Sequence, residues 1–276
     1  MKESRLTRRD LLALSAVAAM TSGCRHSAGP AAFTLGICSY TFRKFPRADA
    51  LAMMKQLDVS IVSVKDVHLP YTLSPEELVK AADEFRAAGF TIASAGNTDL
   101  KDEDPAKLRR YFEYARTAKI PMLVAAPTHS TLPAVEKLAK EFDIRVAIHT
   151  HGPEDKNFPV PKVVLDAIKG MDSRIGMCMD VGHSTRGGAD VVAEIVNAGP
   201  RLFDLHMKDL KNAKEKDSQC EVGEGVIPIV AILEKLRDTG YRGSVNLEYE
   251  INSDNPLPGA QHSIGFLKGA VAALAS

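Results

Sequence analysis

From Phe33 onward the chain alternates two patterns. Short apolar runs such as IVSV (61–64) and VAI (146–148) are each followed by a longer stretch with apolar positions at helical spacing. The runs predict strands over 33–38, 59–65, 90–95, 121–126, 144–149, 175–180, 202–207 and 244–249. The stretches predict helices over 46–57, 74–88, 104–118, 131–142, 160–169, 188–198, 226–238 and 259–273. Ser74-Pro75-Glu76-Glu77 supplies an N-cap, a first-turn proline and acids at the positive helix end, and Asp104-Pro105 repeats the device. Gly89, Gly170 and Gly240 stand just past predicted helix ends.

Eight strands each followed by a helix predict an α/β fold, a single (β/α)8 TIM barrel. Continuous apolar strands fit a sheet buried on both faces. An open doubly wound sheet would want a glycine-rich first turn, which Gly36-Ile37-Cys38 is not. At 276 residues, with no low-complexity region or mid-chain linker, residues 31–276 read as one barrel domain.

Composition narrows the function. Lysine plus arginine (35) equals aspartate plus glutamate (35), and no basic run follows residue 25, so nucleic-acid binding has no electrostatic support. The four cysteines make no CxxC pair and no disulfide framework.

Residues 1–30 read as a targeting segment outside the fold. Thr7-Arg8-Arg9-Asp10-Leu11-Leu12 resembles a twin-arginine export signal, and the apolar run Leu11 to Met20 after it is too short to span a bilayer. Thr21-Ser22-Gly23-Cys24 resembles a lipoprotein cleavage box, with Thr21 where leucine is usual. The expected product is exported, periplasmic or anchored to the cell envelope by a lipid on Cys24. A lipid there would be its one link to a membrane. Removing residues 1–23 takes away Lys2, Arg5, Arg8 and Arg9 against Glu3 and Asp10, leaving a mildly acidic chain.

The chemistry concentrates at strand ends. His149, Asp180, His206 and Glu248 close the runs RVAIH, RIGMCMD, LFDLH and SVNLE, which are predicted strands five to eight. Active sites of such barrels lie at the C-terminal ends of the strands. Two imidazoles and two carboxylates delivered there predict a mixed nitrogen and oxygen site for one divalent ion: Mn²⁺, Zn²⁺ or Co²⁺. His151, two residues beyond His149 and facing the same way on an extended strand, is a candidate base or substrate contact. Glu248 and Lys65 are the other candidate catalytic groups. His183, three residues past Asp180, together with Lys208, His68 and His129, are candidate substrate contacts. In Glu248-Tyr249-Glu250 only one carboxylate can stand at ligand depth, and Glu248 follows the strand directly. The segments 181–187 and 208–225, rich in glycine and charge and outside the predicted strands and helices, are expected to form the rim above the metal.

The motifs AIHTHGPED (147–155), MDVGH (179–183), DLHMKD (204–209) and NLEYE (246–250) resemble those of the xylose-isomerase-like TIM-barrel superfamily. The likeness is to its sugar phosphate isomerase/epimerase branch, over residues 33–273. It implies metal ligands at Asp180, His206 and Glu248 and a substrate contact at His183. His149 departs from it, standing where the keto-sugar epimerases of the branch have a glutamate that also shuttles a proton. The resemblance implies a divalent-metal-dependent isomerase or epimerase that removes the proton α to a keto-sugar carbonyl held by the metal. A lyase or dehydratase acting on 3-keto-glycosides or inososes through the same enolate is the alternative. A sugar-binding lipoprotein and a phosphodiesterase of the AP-endonuclease branch are weaker readings. Export argues against phosphorylated substrates and for a free keto-sugar or keto-glycoside as partner.

Overall fold

The computed structural model describes residues 32–275. The predicted export signal and the cleavage box at Cys24 lie outside the described residues. The parallel strands β1 (Thr34–Cys38), β2 (Ile61–Val64), β3 (Thr91–Leu100), β4 (Met122–Pro127), β5 (Arg145–His149), β6 (Ile175–Asp180) and β7 (Leu202–Met207) run around a barrel in sequence order. It closes through β10 (Ser244–Leu247), which pairs with both β7 and β1. A two-stranded antiparallel sheet, β8 (Asp209–Leu210) and β9 (Gln219–Cys220), stands beside it. The (β/α)8 barrel expected from the pattern is the fold.

The predicted starts work as their chemistry requires. Ser74 and Glu77 form a reciprocal capping box on the helix Pro75–Ala87, and Asp104 caps Pro105–Thr117 through the Ala106 amide. A cap of this kind stabilises a helix by about 1 kcal/mol. Inside the barrel, a lower cluster of Met122, Val124, Ala147, Cys178 and Phe203 is buried. Among the side chains above it is the fully buried carboxylate of Asp204. Asp204 accepts from the Leu205 amide (2.9 Å), Ser244 Oγ (3.0 Å), Asn246 Nδ2 (2.7 Å) and Ser94 Oγ (3.2 Å). Four donors satisfy a group that would be costly unpaired.

Three local expectations are corrected. β3 does not stop at 95 but runs to Leu100. The chain shifts register against β4 between Ala95 and Thr98 and resumes pairing. Residues 181–187, left outside the predicted helices, hold one: Val181–Arg186 is a short helix, because Oδ1 of Asp180 caps it by accepting from the His183 amide at 2.8 Å. The segment 208–225 is pinned rather than loose. It contains β8 and β9, and the Asp209 carboxylate gathers the amides of Gly223, Gly225 and Ile227 at 3.0–3.1 Å.

Candidate metal centre

His149 ends β5, Asp180 ends β6, His206 lies one residue before the end of β7, and Glu248 follows β10 directly. The Glu248 amide donates to the Met207 carbonyl (2.9 Å), so its carboxylate is placed by the pairing of the two chains although the strand itself ends at Leu247. Nε2 of His149 lies 3.1 Å from Nδ1 of His206. Oε2 of Glu248 is 3.4 Å from the same Nδ1, and Oδ2 of Asp180 is 3.8 Å from His149 Nε2. One donor atom from each of the four residues fits within a sphere where every pair is no more than 4.8 Å apart. Ligands at roughly 2.0–2.2 Å around a tetrahedral ion stand about 3.3–3.6 Å from one another, close to the 3.1, 3.4 and 3.8 Å separations, while the widest pairs would draw in to hold one.

The electrostatics suit a cation. Burial, then the neighbouring imidazoles of His151 and His206, hold His149 well below its ordinary value, so it is neutral and able to ligate. Its Nδ1 is buried without a hydrogen-bond partner. Burial alone would raise the Glu248 carboxyl, but the Lys208 ammonium and then His206 hold it well below the usual carboxylate range. His206 turns its other ring edge toward Asp204, with Nε2 4.0 Å from Oδ2. Cys38 and Cys178 are buried free thiols. Burial pushes Cys38 up to about 12 and raises Cys178 further, so neither is a ready nucleophile.

Beside the four donors opens a cleft of ≈680 Å³ that reaches Asn97, Asp99, Lys101, His151, Asp155 and His183. His151 is part-exposed and held from both ring edges. Nδ1 faces the His149 carbonyl (3.2 Å) and Asp155 Oδ2 (3.3 Å), while Nε2 meets the Asn97 amide nitrogen. This network assigns the proton to Nδ1 and leaves Nε2 as the lone-pair nitrogen. The rings of His149 and His151 are 4.4 Å apart, and the His183 ring is 6.1 Å from each.

The other sequence-predicted residues are placed as follows. Lys65 donates to the Asn97 carbonyl (2.8 Å) and pairs with Asp66 (3.1 Å), so it braces the residue that touches His151. Lys208 does not line the cleft; its ammonium is buried among carboxylates. His68 is not brought to the site. It is 1 % exposed, with Nδ1 on Ser39 Oγ (3.0 Å) and Nε2 on the Phe45 carbonyl (3.2 Å), and no ring nitrogen is left for substrate. His129 is exposed and packs on Phe158, with rings 4.8 Å apart, outside the cleft lining. Sequence reasoning missed Asn97, because the predicted strand stops at 95 and β3 runs on to Leu100. It also gave no role to Asp155, which closes the motif AIHTHGPED four residues after His151.

A closed eight-stranded barrel with this donor set at the C-terminal strand ends defines a class, and the sequence comparisons agree. The profile of the xylose isomerase-like TIM-barrel family matches residues 45–270, and the chain belongs to that family. Among curated relatives, rhizopine catabolism protein MocC of Rhizobium meliloti is 32% identical over 139 residues, covering 44% of this chain and 42% of that protein. An uncharacterized protein of Methanocaldococcus jannaschii is 28% identical over 130 residues, 43% of this chain and 41% of its own. The matches thus span about two fifths of the length of these relatives. Solved structures align over more of the chain. A structure of L-ribulose 3-epimerase superposes with a TM-score of 0.71 at 17% identity, covering 88% of this chain and 95% of its own. The probable 3-DHS dehydratase AsbF of Bacillus anthracis gives 0.71 at 14%, covering 86% and 99%. Epimerases and a dehydratase share the fold.

Proposed function

We propose that the protein is a divalent-metal-dependent isomerase or epimerase of keto-sugars whose first step removes the proton beside the carbonyl. The observation that carries this reading is the placement of an oriented, unprotonated His151 nitrogen at the wall of a cleft, directly beside the four-donor cluster. A Mn²⁺, Zn²⁺ or Co²⁺ ion held by His149, Asp180, His206 and Glu248 would supply Lewis acidity toward a carbonyl oxygen.

The remaining work falls to the chain's own side chains. Burial, then the His183 imidazole, keeps His151 below its ordinary value, so it is a neutral base near pH 7. Asp155 and the His149 carbonyl fix the ring by its Nδ1–H, and Asn97 holds Nε2 until a substrate C–H takes that place. His183 lines the same cleft and contacts the hydroxyls of the sugar. Lys65 acts by positioning Asn97.

Loss of a β-leaving group from a 3-keto-glycoside or inosose is the second outcome of the same step, and one observation favours it. Epimerisation through two faces needs a second free acid or base. Glu248 is tied to Lys208 and His206, and His149 faces the other ligands. Elimination needs proton removal on one side only.

Incubation of metal-loaded protein with free keto-sugars and 3-keto-glycosides in deuterated water tests the reading. Deuterium should appear at the carbon beside the carbonyl. Labelled isomer or epimer supports isomerisation, and a free aglycone or unsaturated keto-sugar supports the lyase. Sugars bound tightly but returned unlabelled would leave a binding protein.

A further inference from the structure

We propose that Lys208 is an internal cation that competes with the metal ion for the carboxylates of Asp180 and Glu248, and that Glu250 is the seat to which its ammonium withdraws when the site is loaded. The inference rests on reading the four-donor cluster as a metal centre.

The geometry is specific. Nζ of Lys208 lies 2.9 Å from Asp180 Oδ2, 3.0 Å from Glu248 Oε2 and 2.9 Å from Glu250 Oε1. The first two carboxylates belong to the four-donor cluster, and the third does not. The lysine side chain is 5 % exposed, whereas that of Glu250 is 38 % exposed. Room for the buried stem is built in at Gly182, where a Cβ would stand 2.6 Å from Lys208 Cγ. Glu250 is fixed independently of the lysine. Its amide donates to Gln219 Oε1 (2.9 Å) and its carbonyl accepts from Arg43 (2.6 Å).

Charge gives the arrangement its effect. Among these four side chains, the carboxylates of Asp180, Glu248 and Glu250 against the Lys208 ammonium sum to −2, which one divalent ion cancels. A buried ammonium beside two ligand oxygens repels an incoming cation strongly in a site shielded from water. The flexible four-carbon stem of lysine lets the ammonium turn toward the third carboxylate without moving the backbone. Lys208 therefore holds the empty carboxylates together and sets a ceiling on metal affinity. Glu250 decides how low that ceiling is.

Chelator competition with Co²⁺ and Mn²⁺ on metal-stripped full-length protein tests this without reference to turnover. Lys208→Met should bind each ion at least roughly tenfold more tightly than wild type, and Glu250→Gln roughly tenfold more weakly, as removal of one close charge implies. In the double variant the Glu250 effect should disappear, because no ammonium needs a seat. Lys208→Gln, which keeps a polar group against the carboxylates, provides the same comparison if Lys208→Met does not fold. Unchanged or weaker binding by both folded lysine variants, or a Glu250 effect that persists in the double variant, overturns the inference while leaving the metal centre standing. Absence of binding in every form overturns the metal centre and the inference together.

Discussion

Nε2 of His149 lies 3.1 Å from Nδ1 of His206, although the two residues are 57 positions apart and stand on strands that are not neighbours. Two buried imidazole nitrogens at that distance, with two carboxylates around them, are held together by fold geometry and satisfied best by a cation between them. One divalent ion per chain is expected by elemental analysis after stripping and reloading. His206→Ala and Glu248→Ala should each lose most of it, and His183→Ala should keep it while losing turnover. Wild-type metal content in the first two variants would remove the assignment.

His151 should carry the proton transfer. His151→Ala is expected to lower turnover and deuterium incorporation by about 10²- to 10⁴-fold, with metal content unchanged. Asp155→Asn should give a smaller loss in kcat with little change in KM, because it misplaces the base without removing it. Undiminished exchange in His151→Ala would move the role of base to another group.

His68 predicts a pH dependence of stability. Burial holds its folded value below the usual 6.5. Between those two values the unfolded chain binds a proton that the folded chain does not, so stability is full above 6.5 and falls as the pH drops below it. Urea unfolding of wild type and His68→Gln from pH 7.5 to 5 measures this. The variant, though less stable at pH 7, should lose less on acidification, and equal slopes would count against a buried neutral His68.

Export is expected to depend on Arg8 and Arg9, which lie outside the described residues. Replacing both with lysine should leave precursor in the cytoplasm, read by fractionation and immunoblot. Cys24→Ala should release the mature protein from the membrane fraction if the cysteine carries a lipid. Normal export of the double lysine variant would end the twin-arginine reading.

The barrel was legible because burial on both faces writes itself into continuous apolar strands, and because helix starts are local chemistry at Ser74 and Asp104. The convergence of His149, Asp180, His206 and Glu248 was legible for a related reason: in a barrel of known handed order, a residue's place at a strand's C-terminal end already fixes its layer. What sequence could not settle were relations across the layer. Whether Lys208 faces the cleft or the carboxylates of Asp180 and Glu248 depends on Gly182 leaving space for its stem and on Glu250 standing opposite. Neither relation has a signature in spacing. His68 reads as a substrate contact from its place just past the second strand, yet the turn after β2 folds it inward onto Ser39 and Phe45. Asn97 reaches His151 because β3 continues past the predicted end at 95, through a register shift that no spacing announces. Strand periodicity and capping are properties of neighbouring residues, so the chain alone determined them. Side-chain partnership between distant residues depends on which atoms exclude one another in three dimensions, and only the tertiary structure decided it.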